Sequence, residues 1–281
     1  MINKQIKILD IKINIISRQE VLDKIKNLFF KPSLGEQLVT TNPEFILEAQ
    51  KNNEFKNIIN NSCLSVADGY GIRLASKYVS VISNQQSVIS KFLFGIRVAW
   101  WGITRNNKKL DIIKEIITGV DLVQEICKFS SVIPQYCGIR LKIFLLGGYG
   151  NTSRLAAENL KKQNPKLEIN YSIFEAFEAD DIINIINNFK PDILFVALNH
   201  PRAQIWINNN INKMPSVKLA IGIGGALDYI SGKIKRAPQN WQSSYEWLFR
   251  LFKQPKRFRR IFNACLKFPW IVFINSTKLN K

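Results

Sequence analysis

Three segments of the chain repeat one order of structure: an almost wholly apolar strand, then a turn, then a helix. They read LKIFLLGGYGN (141–151), DILFVALNHP (192–201) and VKLAIGIGGALD (217–228). Apolar strands that alternate with helices are typical of a parallel sheet whose two faces are both covered. The sequence therefore predicts an α/β fold, a mostly parallel Rossmann-like sheet with helices on both faces.

The first 130 residues supply the remaining elements of this fold. Ser17 and Glu20 form a capping box before one predicted helix, and Asn42 precedes Pro43 at the start of a second. Strands are predicted at 6–16 (a hairpin), 37–41 and 64–67, and further helices at 72–78 and 119–130. The segment 80–118 has no regular pattern.

Polar and glycine residues collect where the predicted strands end. The carboxyl ends of parallel strands share one edge of a sheet, and ligands bind beyond that edge. The residues at these strand ends are therefore candidates for a binding site: Thr40 to Asn42, Asp68, Gly147 to Gly150, Asn199 to Pro201 and Gly222 to Asp228.

Most of these candidates also have an ordinary structural explanation. Asp68 stands before Gly69, a common turn pair, although a carboxylate at the end of a buried strand equally suits catalysis. Asn42 is a good helix cap. The glycines of LLGGYGN resemble a phosphate-cradling loop, but they depart from GxGxxG and equally suit a turn. The residues alone leave these alternatives open.

No motif indicates a metal site or a cofactor, and we expect neither. There is no DxD triplet, so positive side chains would have to neutralise any phosphates. The four cysteines lack metal-type spacing and indicate free thiols in a reducing cytoplasm. His200, the single histidine, has no marked nucleophile partner, and we interpret it as incidental.

The net charge of +19 is concentrated in two segments. Residues 70–118 carry 8 basic and 2 acidic side chains, and residues 233–281 carry 12 and 1, so these segments hold 17 of the 19 charges. Both are aromatic, as in SKFLFGIRVAWWGITR and EWLFRLFKQPKRFRRIF. A nearly neutral body with two basic, aromatic surfaces suggests an anionic partner, either lipid or nucleic acid.

The aromatic content of these segments favours lipid over nucleic acid. The N-terminal stretch MINKQIKILDIKI lacks the apolar core of a signal peptide, and no run reaches the ~18–20 apolar residues of a membrane span. We therefore expect a cytoplasmic protein, peripheral on the inner face of the cell membrane, with no nucleic-acid partner. The apolar stretch 92–103, interrupted by Arg97, is predicted to lie on the anionic membrane surface and outside the core, with an ordinary buried helix as the alternative.

Seven motifs follow one another between residues 40 and 260, within a resemblance that spans about residues 6–262: TTNPEFILEAQKN, ADGYGIRLASK, TGVDLVQEI, IFLLGG, PDILFVALNHPRAQIWI, IGIGGALDYISGKIKRAP and EWLFRLFKQPKRFRR. Together they resemble the WecG/TagA/CpsF glycosyltransferase family. The resemblance implies an inverting, metal-independent hexosyltransferase with a UDP-sugar donor. The sugar would be N-acetylmannosamine or its uronic acid, and the lipid-linked acceptor a polyprenyl-diphosphate-linked N-acetylglucosamine in cell-surface polysaccharide synthesis.

The resemblance also implies roles for single residues. Asp68 matches the proposed catalytic base, which takes the proton of the acceptor hydroxyl, and Thr40 and Asn42 match the motif beside it. Asp228 matches an aspartate on the nucleotide. The other candidate substrate-binding residues are Gly147, Gly148, Gln204 and Gly224 in the body and Arg250, Arg257 and Arg260 in the tail, where the arginines would hold the diphosphates.

The sequence departs from the family at three places. Ala203 stands at the usual glutamine position, with Gln204 one place later, and Ile116 stands where an arginine is usual. Extra residues at about 80–117 form an insertion in a predicted core of 1–242, followed by a basic membrane-associating appendage at 243–281.

These departures indicate either a donor pocket built for a different sugar or a loss of activity, and they keep open a catalytically weak family member that acts as a scaffold. A basic nucleic-acid-binding protein is a second alternative, which rests on the positive charge. The donor sugar and any homo-oligomer are also left open.

Overall fold

The computed structural model describes residues 4–29, 35–82, 87–132, 141–174, 179–236 and 258–278. Within these ranges the chain forms a six-stranded parallel sheet, in the order β4-β3-β8-β7-β5-β6, and a separate antiparallel hairpin, β1-β2. The strands are β1 Gln5–Ile8, β2 Ile11–Asn14, β3 Glu36–Thr41, β4 Leu64–Ala67, β5 Lys142–Gly147, β6 Glu168–Ser172, β7 Ile193–Ala197 and β8 Leu219–Gly222. The predicted parallel α/β sheet is confirmed.

The helices of the described ranges lie on both sides of this sheet, as predicted. They are α1 Arg18–Phe29, α2 Pro43–Ala49, α3 Asn53–Asn61, α4 Tyr70–Ile82, α5 Val88–Ile103, α6 Gly119–Val132, α7 Thr152–Gln163, α8 Ala179–Phe189, α9 Arg202–Asn210, α10 Ala226–Ile230, α11 Phe258–Phe262 and α12 Phe268–Lys278. A π-helical turn, Asn263–Lys267, joins α11 to α12. We refer to residues 258–278 as the C-terminal segment.

Apolar side chains divide these helices between the two faces of the sheet. Helices α1, α6, α7 and α10 bury their apolar residues against one face, which includes Leu38 and Val66. The hairpin, α2, α3 and α4 pack on the other face over β3 and β4, and α8 and α9 pack over β5 and β7. Almost every residue of the central strands is buried, which explains their continuous apolar sequence.

Local capping signals set where two helices begin. The Ser17 N–H donates to Glu20 Oε2 (2.8 Å) and the Glu20 N–H donates to Ser17 Oγ (3.3 Å), which is the predicted capping box of α1. Asn42 Oδ1 accepts the Phe45 N–H (3.1 Å) and caps α2. Helix α2 ends at Ala49, and Asn52 caps the next helix, α3, by accepting the Phe55 N–H (2.9 Å).

The insertion and the C-terminal segment pack on the body together. Helix α5 lies against α4 and α12, and α12 buries Phe268 and Val272 in the same apolar cluster as α4 and the hairpin. We expected the stretch 92–103 to lie outside the core; this is wrong for Val98, which is 4% exposed. No helix in the described ranges is long and apolar enough to span a bilayer.

Candidate active site

The predicted site residues follow neighbouring strands at one edge of the sheet. Asp68 follows β4, Thr40 and Asn42 lie at the end of β3, and Gly224 and Asp228 follow β8. The strands are in register here, with Thr41 opposite Ala67 and Val39 opposite Gly222. The structure therefore brings these residues to adjacent positions along one edge.

Asp68 lies in a turn that is fixed on both sides. Its N–H donates to Thr41 O (2.8 Å), which extends the β3–β4 ladder by one residue. Gly69 has a φ of +95°, a conformation that favours glycine. A Cβ on Gly71 would lie 2.9 Å from Pro43 Cγ, so the second glycine allows the start of α4 to approach the start of α2. The two glycines therefore hold the motifs of Asp68 and Asn42 side by side.

Thr40 and Asp68 lie on one side of the sheet. Leu38 and Val66 belong to the apolar cluster beneath α1 and α6, and strand alternation puts Thr40 and Asp68 on that same side. Thr40 is buried, whereas Asp68 is half-buried. The amide oxygen of Asn42 caps α2, as expected if this residue is a helix cap. Catalytic roles for these three residues stay predictions.

An irregular segment between α5 and α6 closes over the strand ends on this side. The Ile117 N–H donates to Ala67 O (2.9 Å), directly before Asp68. Gly119 packs against Ile223, just beyond β8, where a Cβ would lie 3.4 Å from the carbonyl oxygen. The segment contacts the end of β4, and Gly119 at the start of α6 contacts the end of β8. Together they form one wall of a cleft.

This cleft has a volume of about 740 Å³ and is strongly charged. Its positive side chains are Arg18, Arg73, Lys114 and Arg236, and its negative ones are Glu115, Asp121 and Glu125. Ile116, one of the three departures noted above, also lines it, and Arg18 Nη2 donates to Ile116 O (3.4 Å). Guanidinium groups from other elements therefore occupy the cleft despite this departure.

An ion network centred on Asp121 holds the walls of the cleft together. Arg236 Nη1 donates to Asp121 Oδ1 (2.6 Å), and Arg18 lies 3.6 Å from Asp121 Oδ2 and donates to Glu125 Oε1 (2.6 Å). Thr118 Oγ1 donates to Asp121 Oδ2 (2.9 Å). Burial alone would raise the pKa of Asp121, but Arg236, Thr118 and Arg18 outweigh burial and hold the pKa below 3.8. This carboxylate therefore stays ionised and fixes both arginines.

This ion network is not apparent from the sequence. The motifs TGVDLVQEI and KRAP were recognised, but no role was given to Asp121 or Arg236 within them. Arg18 lies in no motif, and 103 residues separate it from Asp121, so nothing in the sequence pairs them.

The glycine loop after β5 is explained by backbone geometry. Gly147 and Gly148 have φ values of +96° and +83°, and a Cβ on Gly147 would lie 2.9 Å from Ala197 O. Lys233 Nζ donates to Tyr149 O (3.1 Å) and to Thr152 Oγ1 (2.8 Å), so a cation lies where the loop meets α7. The turn explanation accounts for these glycines, and phosphate binding stays a prediction.

Gln204 lies beneath the strand ends. Its side chain is 1% exposed, and a Cβ on Gly222 would lie 2.5 Å from Gln204 Nε2. Ala203 beside it is completely buried. Substrate binding by Gln204 stays a prediction.

Arg260 lies at the edge of the site. Its guanidinium donates to both carboxylate oxygens of Glu44, at 3.0 Å from Nε and 2.6 Å from Nη2. Glu44 is in the first turn of α2, two residues after Asn42, so this pair attaches α11 next to the strand ends. Arg250 and Arg257 lie outside the described residues. The described residues contain no cluster of three His, Cys, Asp or Glu side chains that could hold a metal ion.

We expect the pKa of His200 to lie below 6.5 in the folded protein. Burial lowers the pKa, Arg260 adds to the effect, and Glu44 and Glu48 oppose it. The unfolded chain then binds more protons, so the free energy of unfolding decreases as the pH falls from 6.5 through the folded pKa. Because the chain has one histidine, NMR titration of its ring protons measures this pKa directly. A pKa of 6.5 or higher would contradict the prediction.

The chain is similar to a described family and to proteins named as transferases in two bacteria. The model of the "Glycosyl transferase WecG/TagA/CpsF family" matches residues 6–94 and 94–281. The N-acetylglucosaminyldiphosphoundecaprenol N-acetyl-beta-D-mannosaminyltransferase of Staphylococcus aureus (strain MRSA252) is 25% identical over 260 residues, covering 92% of this chain and 88% of that protein. The protein of the same name from Bacillus spizizenii is 25% identical over 239 residues, covering 84% and 79%.

The two matched segments meet at residue 94, inside α5, where sequence analysis placed the insertion. The matched segments together span nearly the whole chain, and they contain every motif on which the resemblance rested. The chain therefore belongs to the WecG/TagA/CpsF family of glycosyl transferases.

Proposed function

We propose that this glycosyltransferase transfers N-acetylmannosamine from a UDP donor to N-acetylglucosamine linked through a diphosphate to a polyprenol, with inversion at the anomeric carbon. One observation carries the proposal: Ala67, directly before Asp68, is hydrogen-bonded to Ile117 of the segment that walls a cleft rich in guanidinium groups. The names of the similar transferases, which specify an N-acetylmannosaminyl group and a diphosphoundecaprenol acceptor, support the choice of sugar and acceptor.

The proposed reaction is a single displacement. Asp68 takes the proton of the acceptor hydroxyl, the acceptor oxygen bonds to the anomeric carbon, and the bond from that carbon to the UDP oxygen breaks from the opposite side. Asp68 suits a base because it is half-buried and the β3–β4 ladder and Gly69 fix its backbone. Thr40 and Asn42 would hold the acceptor and the base in line.

The departing UDP gains negative charge, which fixed cations stabilise. Arg73 and Lys114 line the cleft. Arg260 pairs with Glu44 at the edge of the site, and Arg250 and Arg257 belong to the same tail. Asp228 would accept the ribose hydroxyls, and Gly147, Gly148 and Gly224 would let backbone N–H groups approach the donor. Gln204 would contribute from beneath the strand ends.

We further propose that the enzyme works as a peripheral protein on the inner face of the cell membrane, where a lipid-linked acceptor resides. The basic segments at 70–118 and 233–281 would face the anionic lipid there. Its product would enter the synthesis of a cell-surface polysaccharide.

The test uses purified full-length chain, UDP-N-acetylmannosamine and a short-chain diphosphate-linked N-acetylglucosamine acceptor. We expect UDP-sugars to raise the melting temperature, because ligands that bind only the folded state stabilise it. We also expect a product one N-acetylhexosamine heavier, with the inverted linkage by NMR. If UDP-sugars stabilise the protein but no transfer occurs, the scaffold alternative is favoured. If UDP-sugars do not stabilise the protein and no product forms, the proposal is contradicted.

Removal of divalent metals should leave the transfer rate unchanged. The sequence contains no DxD triplet, and the neighbouring Asp180 and Asp181 lie in the first turn of α8, away from β3 and β4. The rate is compared before and after EDTA treatment and dialysis, with an added metal-dependent glycosyltransferase as a positive control for chelation. Loss of activity that Mg²⁺ or Mn²⁺ restores would contradict this prediction.

A further inference from the structure

Helix α5 has its apolar side facing solvent. Seven large apolar side chains on this side are between 49 and 72% exposed: Val88, Ile89, Phe92, Leu93, Ile96, Trp100 and Ile103. They recur at spacings of three and four residues, so they form one stripe along the helix. The opposite side buries Lys91 and Val98 against the body. A surface helix ordinarily buries its apolar side, whereas α5 exposes it. Such an exposed apolar stripe indicates an apolar partner outside the described residues.

The C-terminal segment continues this stripe. Phe258, Phe262, Leu266 and Trp270 are between 46 and 62% exposed. Phe273 of α12 contacts the ring of Phe92 on α5 (centroids 5.8 Å apart) and the ring of Trp270 (5.8 Å). We call the exposed apolar side chains of α5 and of the C-terminal segment, taken together, the apolar surface.

A buried lysine fixes the two parts of the apolar surface to each other. Lys91 is 2% exposed, and its Nζ donates to Ser276 O (2.6 Å) near the end of α12. Tyr78 on α4 lies within hydrogen-bond distance of Ser276 Oγ (3.1 Å). A lysine at the carboxyl end of a helix satisfies an unpaired carbonyl and meets the negative end of the helix dipole. Helices α4, α5 and α12 therefore present the apolar surface as one unit.

The segments that carry the apolar surface contain basic residues and no acidic ones. Neither 88–110 nor the C-terminal segment contains an acidic residue. Arg97, Arg259 and Lys267 are exposed on the same helices, and Lys108 and Lys109 are exposed just after α5. Arg97 also lies over the ring of Trp101 (5.2 Å), so its charge stays beside the helix at the surface.

We infer that the apolar surface binds an anionic lipid bilayer, with the stripe of α5 inserted at the boundary of headgroups and acyl chains. Apolar and aromatic side chains fit that boundary, and the surrounding basic residues fit anionic headgroups. A second copy of the chain would bring like charges together. A nucleic acid would leave the apolar side chains uncovered. Neither alternative accounts for both features.

This inference deepens the proposed function, because a lipid-linked acceptor is the reason for such a surface. Binding to the bilayer itself needs no sugar substrate. Through Arg260 and Glu44 the C-terminal segment also contacts the first turn of α2, beside Asn42. The apolar surface therefore ends at the edge of the candidate active site, and a bilayer-bound acceptor would meet the enzyme there.

The test compares two variants of the full chain with the same change in net charge. Ile96→Glu with Trp100→Glu places two acids on the apolar surface, and the matched control Lys162→Glu changes the charge equally on exposed α7. Binding is measured by co-sedimentation with vesicles of phosphatidylglycerol and phosphatidylcholine, without sugar substrates. We expect the double variant to bind at least ~10-fold more weakly, because two large apolar side chains lose their burial in lipid, and the control to bind like the wild type.

Two further measurements exclude other readings. The uncharged pair Ile89→Gln with Leu93→Gln should also weaken binding, which separates apolar insertion from charge. Melting temperature, and turnover of a short-chain water-soluble acceptor, should remain those of the wild type. The inference is overturned if both pairs bind vesicles normally, if the control loses binding equally, or if the pairs change only self-association measured without lipid. Absence of transferase activity in the wild type would count against the proposed function alone.

Discussion

The Asp68→Asn variant is expected to lose about 10²–10⁴-fold in kcat while it remains folded and still binds UDP. Asparagine has nearly the shape of aspartate but cannot take the proton of the acceptor hydroxyl. The backbone contacts that fix the turn, from the Asp68 N–H to Thr41 O and through Gly69, do not involve the carboxylate. The change should therefore remove the base and preserve the site.

A matched control separates this effect from a general loss of an acid. Asp111→Asn makes the same chemical change at an exposed carboxylate that pairs with Lys77 (2.8 Å), outside the cleft. We expect this variant to retain the wild-type kcat. The measurements are kcat with the short-chain acceptor and the thermal shift with UDP. If Asp68→Asn keeps more than about a tenth of the wild-type kcat, Asp68 is a turn residue and the proposed base lies elsewhere.

The fold was predictable because its signals are local. Each of the three repeated units carries its strand, turn and helix within a few residues, and the confirmed caps at Ser17 and Asn42 act over three residues. The glycine after Asp68 in ADGYG also has a local explanation, because Gly69 adopts a positive φ in the turn that follows β4. Patterns of this kind depend on backbone conformation and are visible in a single chain.

The cleft was not predictable, because its contacts join distant parts of the chain. Arg18 and Arg236 meet at Asp121, and 218 positions separate the two arginines in the sequence. A charged residue on a predicted helix is ordinarily interpreted as solvated, and no periodicity marks its partner. Only the packing of α1 and α6 on the same face of the sheet brings these charges together.

Helix α5 shows a related limit. Its apolar spacing is compatible with a helix, but the spacing cannot say which side is buried. The presence of Arg97 in the stretch 92–103 predicted that this stretch stays out of the core, and Arg97 is indeed exposed. The buried side of the helix carries Lys91, although lysine side chains are ordinarily exposed to solvent. Its acceptor, Ser276 O, is supplied by a helix 185 residues away.

The Phe268→Ala variant is expected to lower the free energy of unfolding by about 3–5 kcal/mol. Phe268 begins α12, is completely buried and packs in the apolar cluster that also contains residues of α2, α4 and the hairpin. Removing its ring leaves a cavity that α12 alone cannot close, because Lys91 and Tyr78 hold its other end at Ser276. Urea unfolding of the full chain measures the change.

The control is Phe258→Ala, the same substitution in the same segment at a side chain that is 62% exposed. It should change the free energy of unfolding by less than about 0.5 kcal/mol. Arg260 of α11 pairs with Glu44, and a less firmly packed α12 would also weaken the position of α11. We therefore expect Phe268→Ala to reduce transferase activity and Phe258→Ala to leave it unchanged. If both variants unfold at the same urea concentration, Phe268 does not contribute to the stability of the hydrophobic core. The predicted division into a body of 1–242 and a separable appendage of 243–281 would then be supported.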